Sequence, residues 1–319
     1  VTPDTVLAKE AGLELGIKES IVVNDRMETS VPDIYAAGDA VQVKHYVTGN
    51  DALISLAGPA NKQGRIIADN ICGGDSRYLG SQGSSVIKVF DMTAATTGIN
   101  ETNAKKSGLE VDTVILSPMS HAGYYPGGKV MTMKVVFEKE TYRLLGAQII
   151  GYEGVDKRID VLATAIHAGL NATQLKDLDL AYAPPYSSAK DPVNMAGFMI
   201  DNIAKGTLKQ WHLEDMDKIS KDKDVVLLDV RTVGEFSRGH IDGFKNIPVD
   251  ELRERISEIE KGKPVYLICQ SGLRSYIASR ILEGNGYETY NFSGGFRFYD
   301  AVVNDRALIE RAYACGMDY

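Results

Sequence analysis

Short apolar and β-branched runs recur through the last third of the chain, each long enough for one strand. They cover Val225 to Val230, Val265 to Ile268 and Thr289 to Phe292. Between them, apolar residues at helical spacing predict a helix at Leu252, Ile256 and Ile259. Strands that alternate with helices predict a parallel, doubly wound α/β sheet. Functional groups of such sheets lie at the carboxyl ends of the strands, and Cys269 directly follows the second run.

The middle of the chain has a different pattern, in which strand-like runs precede the helices. The runs are Ser85 to Phe90, Val130 to Phe137 and Leu144 to Gly151. Residues 138–141 join the last two runs as a hairpin. Helical spacing follows at Val155, Ile159, Leu162 and Ile166, and Asn171 and Gln174 are placed to cap another helix. This segment is therefore predicted to be an α+β layer.

The first eighty residues contain two shorter patterns. Residues 29–37 predict a short strand that runs into Gly38 and Asp39, and Pro59 stands near the start of a predicted helix that continues to Ile71. A proline in the first helical turn removes no needed donor, and the free N–H groups of that turn can face an electron-rich group. Taken alone, these patterns also fit a strand-to-helix turn with Asp39 as an N-cap and an ordinary amphipathic helix.

Length and composition narrow the class of protein. At 319 residues, with 44% hydrophobic and 24% charged residues, the chain is expected to be soluble and to form two or three cores. A net charge of −8 offers no basic surface for nucleic acid, and no apolar run is long enough for a membrane span. Cys72, Cys269 and Cys315 have no pairable or metal-binding spacing, so we expect free thiols, a cytoplasmic location and no metal site.

The segment that begins at Cys269 contains the clearest candidate chemistry. The cysteine is followed by Gln270, Ser271, Gly272, Leu273, Arg274 and Ser275. Amide N–H groups at a helix N-terminus and a neighbouring guanidinium favour the thiolate, which is the nucleophilic form of cysteine. A buried structural cysteine is the alternative, but it does not need the glycine, the serines or the arginine.

The motifs around this loop resemble the rhodanese (sulfurtransferase) domain. They are Leu228 to Arg231, Glu235 to Ile241, Asn246 to Pro248, the cysteine loop and Gly294-Gly295. The resemblance covers residues 211–305 and implies that Cys269 accepts a sulfane sulfur as a persulfide, stabilised by Arg274 and the loop amides. Arg231 is expected to support the loop electrostatically, with Asp229 paired inside the domain. Rhodanese-like phosphatases carry one more residue between cysteine and arginine than the four found here, so phosphatase activity is the weaker alternative.

The patterns at Gly38-Asp39 and Pro59 together resemble the second flavin-contacting motif and the following helix of the pyridine nucleotide-disulfide reductases. The resemblance implies that residues 1–80 are part of a Rossmann-like FAD-binding domain. Asp39 then binds a ribityl hydroxyl, Gly38 permits close approach, and Pro59 and Ala60 contact the flavin pyrimidine. Residues 84–200 resemble the dimerisation domain of the same family, which implies a homodimer whose subunits complete each other's sites.

Within that domain, residues 182–194 look like the coenzyme A-disulfide reductase branch of the family, with residues 124–128 as a companion feature. The histidine–glutamate pair of the reductases that cleave ordinary disulfides is not found at this point. We therefore expect Tyr182 and Tyr124 to donate a proton to the departing thiolate across the dimer, with Tyr125 and Tyr186 as possible substitutes. Packing at an interface is the alternative role for these tyrosines.

Other family features do not occur in the chain. Neither the glycine fingerprint for FAD nor that for the nicotinamide nucleotide is present, the redox cysteine is absent, and the sequence does not begin with Met. We therefore expect the C-terminal part of a longer enzyme. Residues 201–210 are predicted to be a linker and residues 306–319 a tail.

These resemblances imply an FAD-dependent, NAD(P)H-using reductase of coenzyme A disulfides, persulfides or polysulfides, with a rhodanese domain that carries sulfur on Cys269. Small sulfur compounds are then the substrates. An NADH oxidase or peroxidase on the same scaffold is one alternative, and a sulfur-carrier module without reductase activity is another. The choice between NADH and NADPH, and the physiological sulfur substrate, stay open.

Overall fold

The computed structural model describes residues 2–314, and its first sheet is small. Its elements are α1 (Val6–Glu10), β1 (Ile21–Val22), β2 (Val41–Lys44), β3 (Asp51–Ala52) and α2 (Ala57–Ile71). Strands β1 and β2 are parallel, and β3 pairs antiparallel with β2. The predicted helix after Pro59 is confirmed as α2. The predicted strand over residues 29–37 is wrong, because these residues form turns with one isolated bridge between Glu28 and Tyr35 before a 3-10 turn, Gly38–Ala40.

The second region is an antiparallel sheet covered by helices. Its elements are β4 (Ser85–Val89), β5 (Met92–Gly98), α3 (Glu101–Lys106), β6 (Val111–Leu116), β7 (Thr132–Glu138), β8 (Leu144–Gly151), α4 (Val155–His167) and α5 (Pro192–Ala204). The strand order is β4-β5-β8-β7-β6, and the predicted hairpin is the β7–β8 pair. Asn171 and Gln174 form the predicted capping box, but the helix they cap is a 3-10 helix, Ala172–Asp177. The α+β layer is thus confirmed.

The third region is the parallel α/β sheet that the apolar runs predict. Its elements are β9 (Gln210–Trp211), α6 (Met216–Ile219), β10 (Val226–Asp229), α7 (Val233–Arg238), β11 (Lys245–Asn246), β12 (Val265–Ile268), α8 (Leu273–Glu283), β13 (Thr289–Phe292) and α9 (Gly295–Ala314). All pairs in the order β11-β10-β12-β13-β9 are parallel. Helix α9 continues past residue 305, and Cys315, in the predicted tail, lies outside the described residues.

The helix predicted between β11 and β12 is wrong. Leu252 and Ile259 are buried as its pattern requires, but the segment forms turns and one 3-10 helix, Ile256–Glu258. The Tyr287 hydroxyl donates to the carbonyls of Ile256 and Ile259 at 3.2 and 3.1 Å. Tertiary contacts therefore satisfy backbone groups that an α-helix would satisfy internally, and the apolar side chains reach the core without helical hydrogen bonds.

A buried ion pair joins separate parts of the second region. Arg158 on α4 is 1% exposed, and its Nη2 lies 2.9 Å from the Asp191 carboxylate at the start of α5. The same guanidinium donates to the Ser120 carbonyl at 2.9 Å and to the Ser187 hydroxyl at 3.1 Å.

Within residues 2–314, no helix is long and apolar enough to cross a membrane.

Replacing Arg158 with Met is expected to destabilise the second region by about 3–5 kcal/mol, because it leaves the buried Asp191 carboxylate without its partner. Adding Asp191→Asn should recover part of that loss, since asparagine keeps the N-cap without the charge. Arg65→Met, which removes an exposed partner 4.0 Å from Asp69, is the control and should cost less than about 1 kcal/mol. Urea unfolding measures all three variants. A loss for Arg158→Met no larger than that of the control would contradict the assignment.

Candidate functional site

Cys269 lies directly after β12, at the carboxyl edge of the parallel sheet, and is 1% exposed. Its Sγ accepts hydrogen bonds from the Gly272 amide at 3.1 Å and from the Ser275 hydroxyl at 3.2 Å. Helix α8 begins at Leu273, so the predicted loop closes within four residues and Ser275 belongs to the first helical turn. The sulfur therefore faces two donors near a helix N-terminus, an arrangement that stabilises negative charge.

Gly295 allows the cysteine loop to pack against the start of α9. Its φ is +68°, and a Cβ at this position would lie 2.8 Å from the Cys269 carbonyl oxygen and 2.7 Å from the Ser271 amide nitrogen. The next amide, of Phe296, donates to the Cys269 carbonyl at 2.8 Å. Only glycine fits here, which explains the Gly294-Gly295 motif in physical terms.

Arg274 is held by a carboxylate of α7. Its Nη1 and Nη2 each lie 2.7 Å from one oxygen of Glu235, and no described hydrogen bond joins the guanidinium to the sulfur. This hydrogen-bonded pair lowers the pKa of Glu235 to about 2 and raises that of Arg274, whose charge also interacts with Cys269. Glu235 additionally accepts from the Thr232 amide and hydroxyl in the capping box of α7. The carboxylate thus fixes where the arginine lies.

Arg231 and Asp229 form the pair expected inside the domain. Both are buried, with Nη2 and Oδ2 2.7 Å apart. The Arg231 guanidinium also donates to the Gly239 carbonyl at 2.8 Å and lies 3.8 Å from the centre of the Phe296 ring. Its nearest contact with the cysteine loop is Gln270, at 3.5 Å. Of the other predicted loop residues, Leu273 is 66% exposed.

The two predicted proton donors are neighbours in space. The hydroxyl oxygens of Tyr124 and Tyr182 lie 2.8 Å apart, although 58 residues separate them in sequence. The hydrogen bond to Tyr124 raises the pKa of Tyr182. The Ala122 amide donates to the Ser187 carbonyl at 2.9 Å, which ties the two tyrosine-bearing loops together. Of the possible substitutes, Tyr125 contacts His121 edge to face, and Tyr186 is 72% exposed.

A cavity of about 500 Å³ opens beside these tyrosines. Tyr182 and Tyr186 line it together with His121, Glu153, Lys157 and the buried Arg158. A histidine and a glutamate from other parts of the chain also line this cavity, with His121 Nδ1 and Glu153 Oε2 4.0 Å apart. Both ring nitrogens of His121 already contact groups of their own loop, the Ser120 hydroxyl and the Pro126 carbonyl, each at 3.2 Å. No spacing in the sequence indicated this pair or Arg158.

The predicted flavin-contacting residues also converge. Gly38 has a φ of +81°, its amide donates to Gln63 Oε1 at 2.7 Å, and a Cβ on it would lie 3.9 Å from the Cβ of Ala60. Asp39 is exposed and makes no hydrogen bond with another described residue. Helix α2 follows Leu56 without a side-chain cap, so backbone donors of its first turn are open to a ligand. Pro59 lines a separate cavity of about 550 Å³ with Tyr46 and Tyr78 among others.

The other candidate features are the free cysteines and possible metal ligands. Cys72 is exposed and Cys269 is buried, and both are free thiols. Among the side chains that the structure describes, which exclude residues 304 and 306–314, no group of three or more histidines, cysteines, aspartates or glutamates is arranged to hold a metal ion.

Three protein families match consecutive parts of the chain. The pyridine nucleotide-disulphide oxidoreductase family matches residues 1–64, and the dimerisation domain of the same oxidoreductases matches residues 84–192. The rhodanese-like domain matches residues 212–301. The three families follow one another along the chain in the order that the sequence motifs imply.

Relatives and solved structures match this chain over different shares of its length. The NAD(P)H sulfur oxidoreductase (CoA-dependent) of Pyrococcus furiosus is 39% identical over 193 residues, which are 60% of this chain and 43% of the relative. Among solved structures, reduced Bacillus anthracis CoADR-RHD matches with a TM-score of 0.92 and 47% identity, over 96% of this chain and 55% of that one. The NAD-dependent persulfide reductase from A. fulgidus matches with a TM-score of 0.85 and 42% identity, over 93% and 54%.

The chain thus spans about half the length of the relatives it matches. The two solved structures match 96% and 93% of this chain, so each match includes both the second and the third region. The chain belongs to the pyridine nucleotide-disulphide oxidoreductases and carries a rhodanese-like domain after its dimerisation domain.

Proposed function

We propose that this protein is an FAD-dependent, NAD(P)H-using reductase of coenzyme A disulfide, coenzyme A persulfide or polysulfide, in which Cys269 carries sulfane sulfur. The observation that carries the proposal is the cradle of Cys269, in which two donors face a sulfur at a sheet edge. This cradle is fused to a reductase dimerisation domain with a hydrogen-bonded tyrosine pair. The names of the Pyrococcus and A. fulgidus relatives support the same chemistry.

The first region suits part of a flavin site. The left-handed turn at Gly38 brings backbone close to α2, and the exposed Asp39 carboxylate is available to accept hydrogen bonds from hydroxyl groups. The first turn of α2, which contains Pro59 and Ala60, has no side-chain cap, so the Ala57 and Gly58 N–H groups are open to a polar ring edge. When bound, FAD supplies electron transfer between a nicotinamide and a disulfide. In our proposal Gly38, Asp39, Pro59 and Ala60 bind and orient that group.

The tyrosine pair can hold a proton where a thiolate departs. The Tyr124 and Tyr182 hydroxyls share a hydrogen bond, which raises the pKa of Tyr182. A phenol carries its proton at neutral pH and can donate it to a departing thiolate. The cavity next to it is lined by cationic Lys157 and Arg158, although the Arg158 charge is paired with Asp191. We propose that Tyr182 donates to the leaving sulfur and that Tyr124 orients it. Reduction of a persulfide then consumes one NAD(P)H and one proton and releases a thiol and hydrogen sulfide.

The rhodanese-like domain can accept sulfur without net oxidation. A Cys269 thiolate attacks the sulfane sulfur of a persulfide, a new S–S bond forms, the donor's S–S bond breaks, and the donor leaves as a thiolate. The Gly272 and Ser275 donors already point at the cysteine sulfur, and the Arg274 charge interacts with it. Glu235 is a positioning residue, because it keeps the Arg274 guanidinium near the sulfur through two hydrogen bonds.

We further propose a homodimer located in the cytoplasm. The matched dimerisation domain supports the dimer, as do exposed apolar residues on the β4–β5 hairpin, where Ile87 is 60% exposed and Phe90 is 94% exposed. Free cysteines support a reducing compartment. Oxygen reduction by the same scaffold would leave the Cys269 cradle without a role, so we favour sulfur substrates over oxygen or peroxide.

Incubating the protein with coenzyme A persulfide is expected to add one sulfur atom to Cys269, detected by mass spectrometry of the peptide that contains it. Cys269→Ser should abolish this product, whereas Cys72→Ser, which removes the exposed thiol, should leave it intact. Turnover of phosphate esters without any persulfide on Cys269 would favour the phosphatase alternative instead.

Replacing Tyr182 with Phe in the complete enzyme is expected to lower turnover of coenzyme A disulfide by roughly 10²-fold or more, because the departing thiolate loses its acid. Tyr152→Phe is a matched control, since Tyr152 is 48% exposed against 45% for Tyr182. NAD(P)H oxidation with the disulfide as substrate measures both. Equal turnover of the two variants would rule out Tyr182 as the proton donor.

Replacing Glu235 with Gln keeps an N3 capping group but removes the partner of Arg274. Since the folded-state pKa of Glu235 is about 2 against an ordinary 4.5, the ion pair contributes its full stability above the ordinary value. The difference in unfolding free energy between wild type and variant should stay constant above pH ~5 and shrink as the pH falls from about 4.5 to about 2. Urea unfolding at pH 7, 5 and 3 checks this. A difference that does not change down to pH 3 would contradict the shift.

A further inference from the structure

A buried histidine lies beneath the exposed phenol of Tyr124. We name residues 120–129, within the connection between β6 and β7, the tyrosine loop. His121 is 5% exposed, whereas Tyr124 is 76% exposed. Apart from the hydrogen bond to Tyr182, little packing holds the Tyr124 side chain, so its position depends on the backbone of the loop.

The imidazole of His121 connects the base of the tyrosine loop to its far turn. Nε2 lies 3.2 Å from the Pro126 carbonyl oxygen, and since a carbonyl can only accept, Nε2 carries the hydrogen. In the neutral ring Nδ1 is then an acceptor, and the Ser120 hydroxyl donates to it at 3.2 Å. The same hydroxyl accepts from the Lys129 amide at 3.1 Å. One chain of hydrogen bonds therefore runs from the base of the loop to Pro126.

The turn around Tyr124 is closed by its own backbone and packs on the imidazole. The Tyr125 amide donates to the Ala122 carbonyl at 2.9 Å. The Tyr125 ring contacts the imidazole edge to face, with the two centroids 5.7 Å apart. The backbone of Gly128 also comes close, because a Cβ there would lie 3.6 Å from Nε2. The buried ring thus contacts the loop on both sides of Tyr124 in the sequence.

These contacts leave the ring no free N–H for a substrate. Glu153 Oε2 lies 4.0 Å from Nδ1, which is beyond hydrogen-bond distance, so the carboxylate does not replace either contact within the loop. An effect of His121 on the reaction must therefore pass through the tyrosine loop.

We infer that His121 is a positioning residue of the reductase site, which holds the turn that carries Tyr124 and so keeps Tyr124 in hydrogen-bond contact with Tyr182. The inference rests on the proposed role of the two tyrosines and adds the group that fixes their geometry. Their hydroxyl oxygens lie 2.8 Å apart. A displacement of the turn by about 1 Å would break this hydrogen bond and misplace the proton donor.

Two variants separate the ring nitrogens. His121→Gln can place an amide N–H where Nε2 lies, whereas His121→Asn reaches only as far as Nδ1. In hydrogen–deuterium exchange of the 319-residue chain, we expect the peptide that covers the tyrosine loop to exchange roughly tenfold faster in the Asn variant and at the wild-type rate in the Gln variant. Strand β12, in the third region, and helix α4, in the second, should keep their wild-type exchange in both variants, which controls for folding.

Turnover of coenzyme A disulfide by the complete enzyme tests the consequence for the reaction. His121→Asn is expected to lower kcat roughly tenfold or more with little change in KM, and His121→Gln to keep most of the wild-type kcat. In a Tyr124→Phe background, His121→Asn should cause no further loss, because the hydroxyl that it positions is already absent.

Three results would overturn the inference: wild-type turnover in the Asn variant, equal losses in the Gln and Asn variants, or an undiminished loss in the Tyr124→Phe background. A loss of turnover in Tyr182→Phe would leave the proposed function standing in each of these cases. Unchanged turnover in both Tyr124→Phe and Tyr182→Phe would instead overturn the role of the tyrosines, and the inference with it.

Discussion

The buried guanidinium of Arg158 is the constraint on which the reductase part of the site depends. It contacts α5 through Asp191, the 182–191 segment through Ser187 and the 120–128 segment through the Ser120 carbonyl. These two segments carry Tyr182 and Tyr124, and nothing in their local sequence brings the phenols together. A buried charge that is satisfied on every side is costly to rearrange, so the pair holds two irregular loops in one geometry.

The cysteine cradle depends on a different kind of constraint, the close approach of backbone to backbone. Gly295 lets the start of α9 press against the cysteine loop, and α8 begins just after Gly272. Around this fixed backbone, charges are arranged in pairs: Asp229 with Arg231, and Glu235 with Arg274. The second pair is the more exposed of the two. Rigid backbone and paired charges together allow a sulfur anion to be stabilised with little rearrangement.

The second and third regions, which carry the tyrosine pair and the cysteine cradle, are in contact along β6, an edge strand of the second region. Gln210 Nε2 donates to the Thr113 carbonyl at 2.8 Å, and the Ile115 amide donates to the buried Ser293 hydroxyl at 3.1 Å. Asp112 and His212 form a further contact at 2.9 Å. Burial opposes ionisation of Asp112, but the hydrogen bond and charge of His212 outweigh it and lower the Asp112 pKa. Because Ser293 immediately precedes Gly294-Gly295, the seam between the domains lies next to the cysteine cradle.

The sequence by itself determined the regions of the chain and the elements with strong periodicity. The parallel sheet, the β7–β8 hairpin, α2, α4 and the Asn171 capping box all follow from local patterns, because hydrophobic period and capping chemistry act over a few residues. The cysteine loop can be predicted for the same reason, because Cys269, Gly272 and Ser275 lie within seven consecutive residues. The domain boundaries, the site roles and the linker at 201–210 stay predictions.

Only the tertiary structure decided which distant residues meet. The apolar spacing at Leu252 and Ile259 does not reveal that Tyr287 satisfies the carbonyls there, so a helix was predicted where turns occur. Glu235 reaches Arg274 from 39 residues away, and Arg158 reaches Asp191 from 33. Local sequence records the preferences of each segment, whereas pairing of buried charges depends on the complete packing around them.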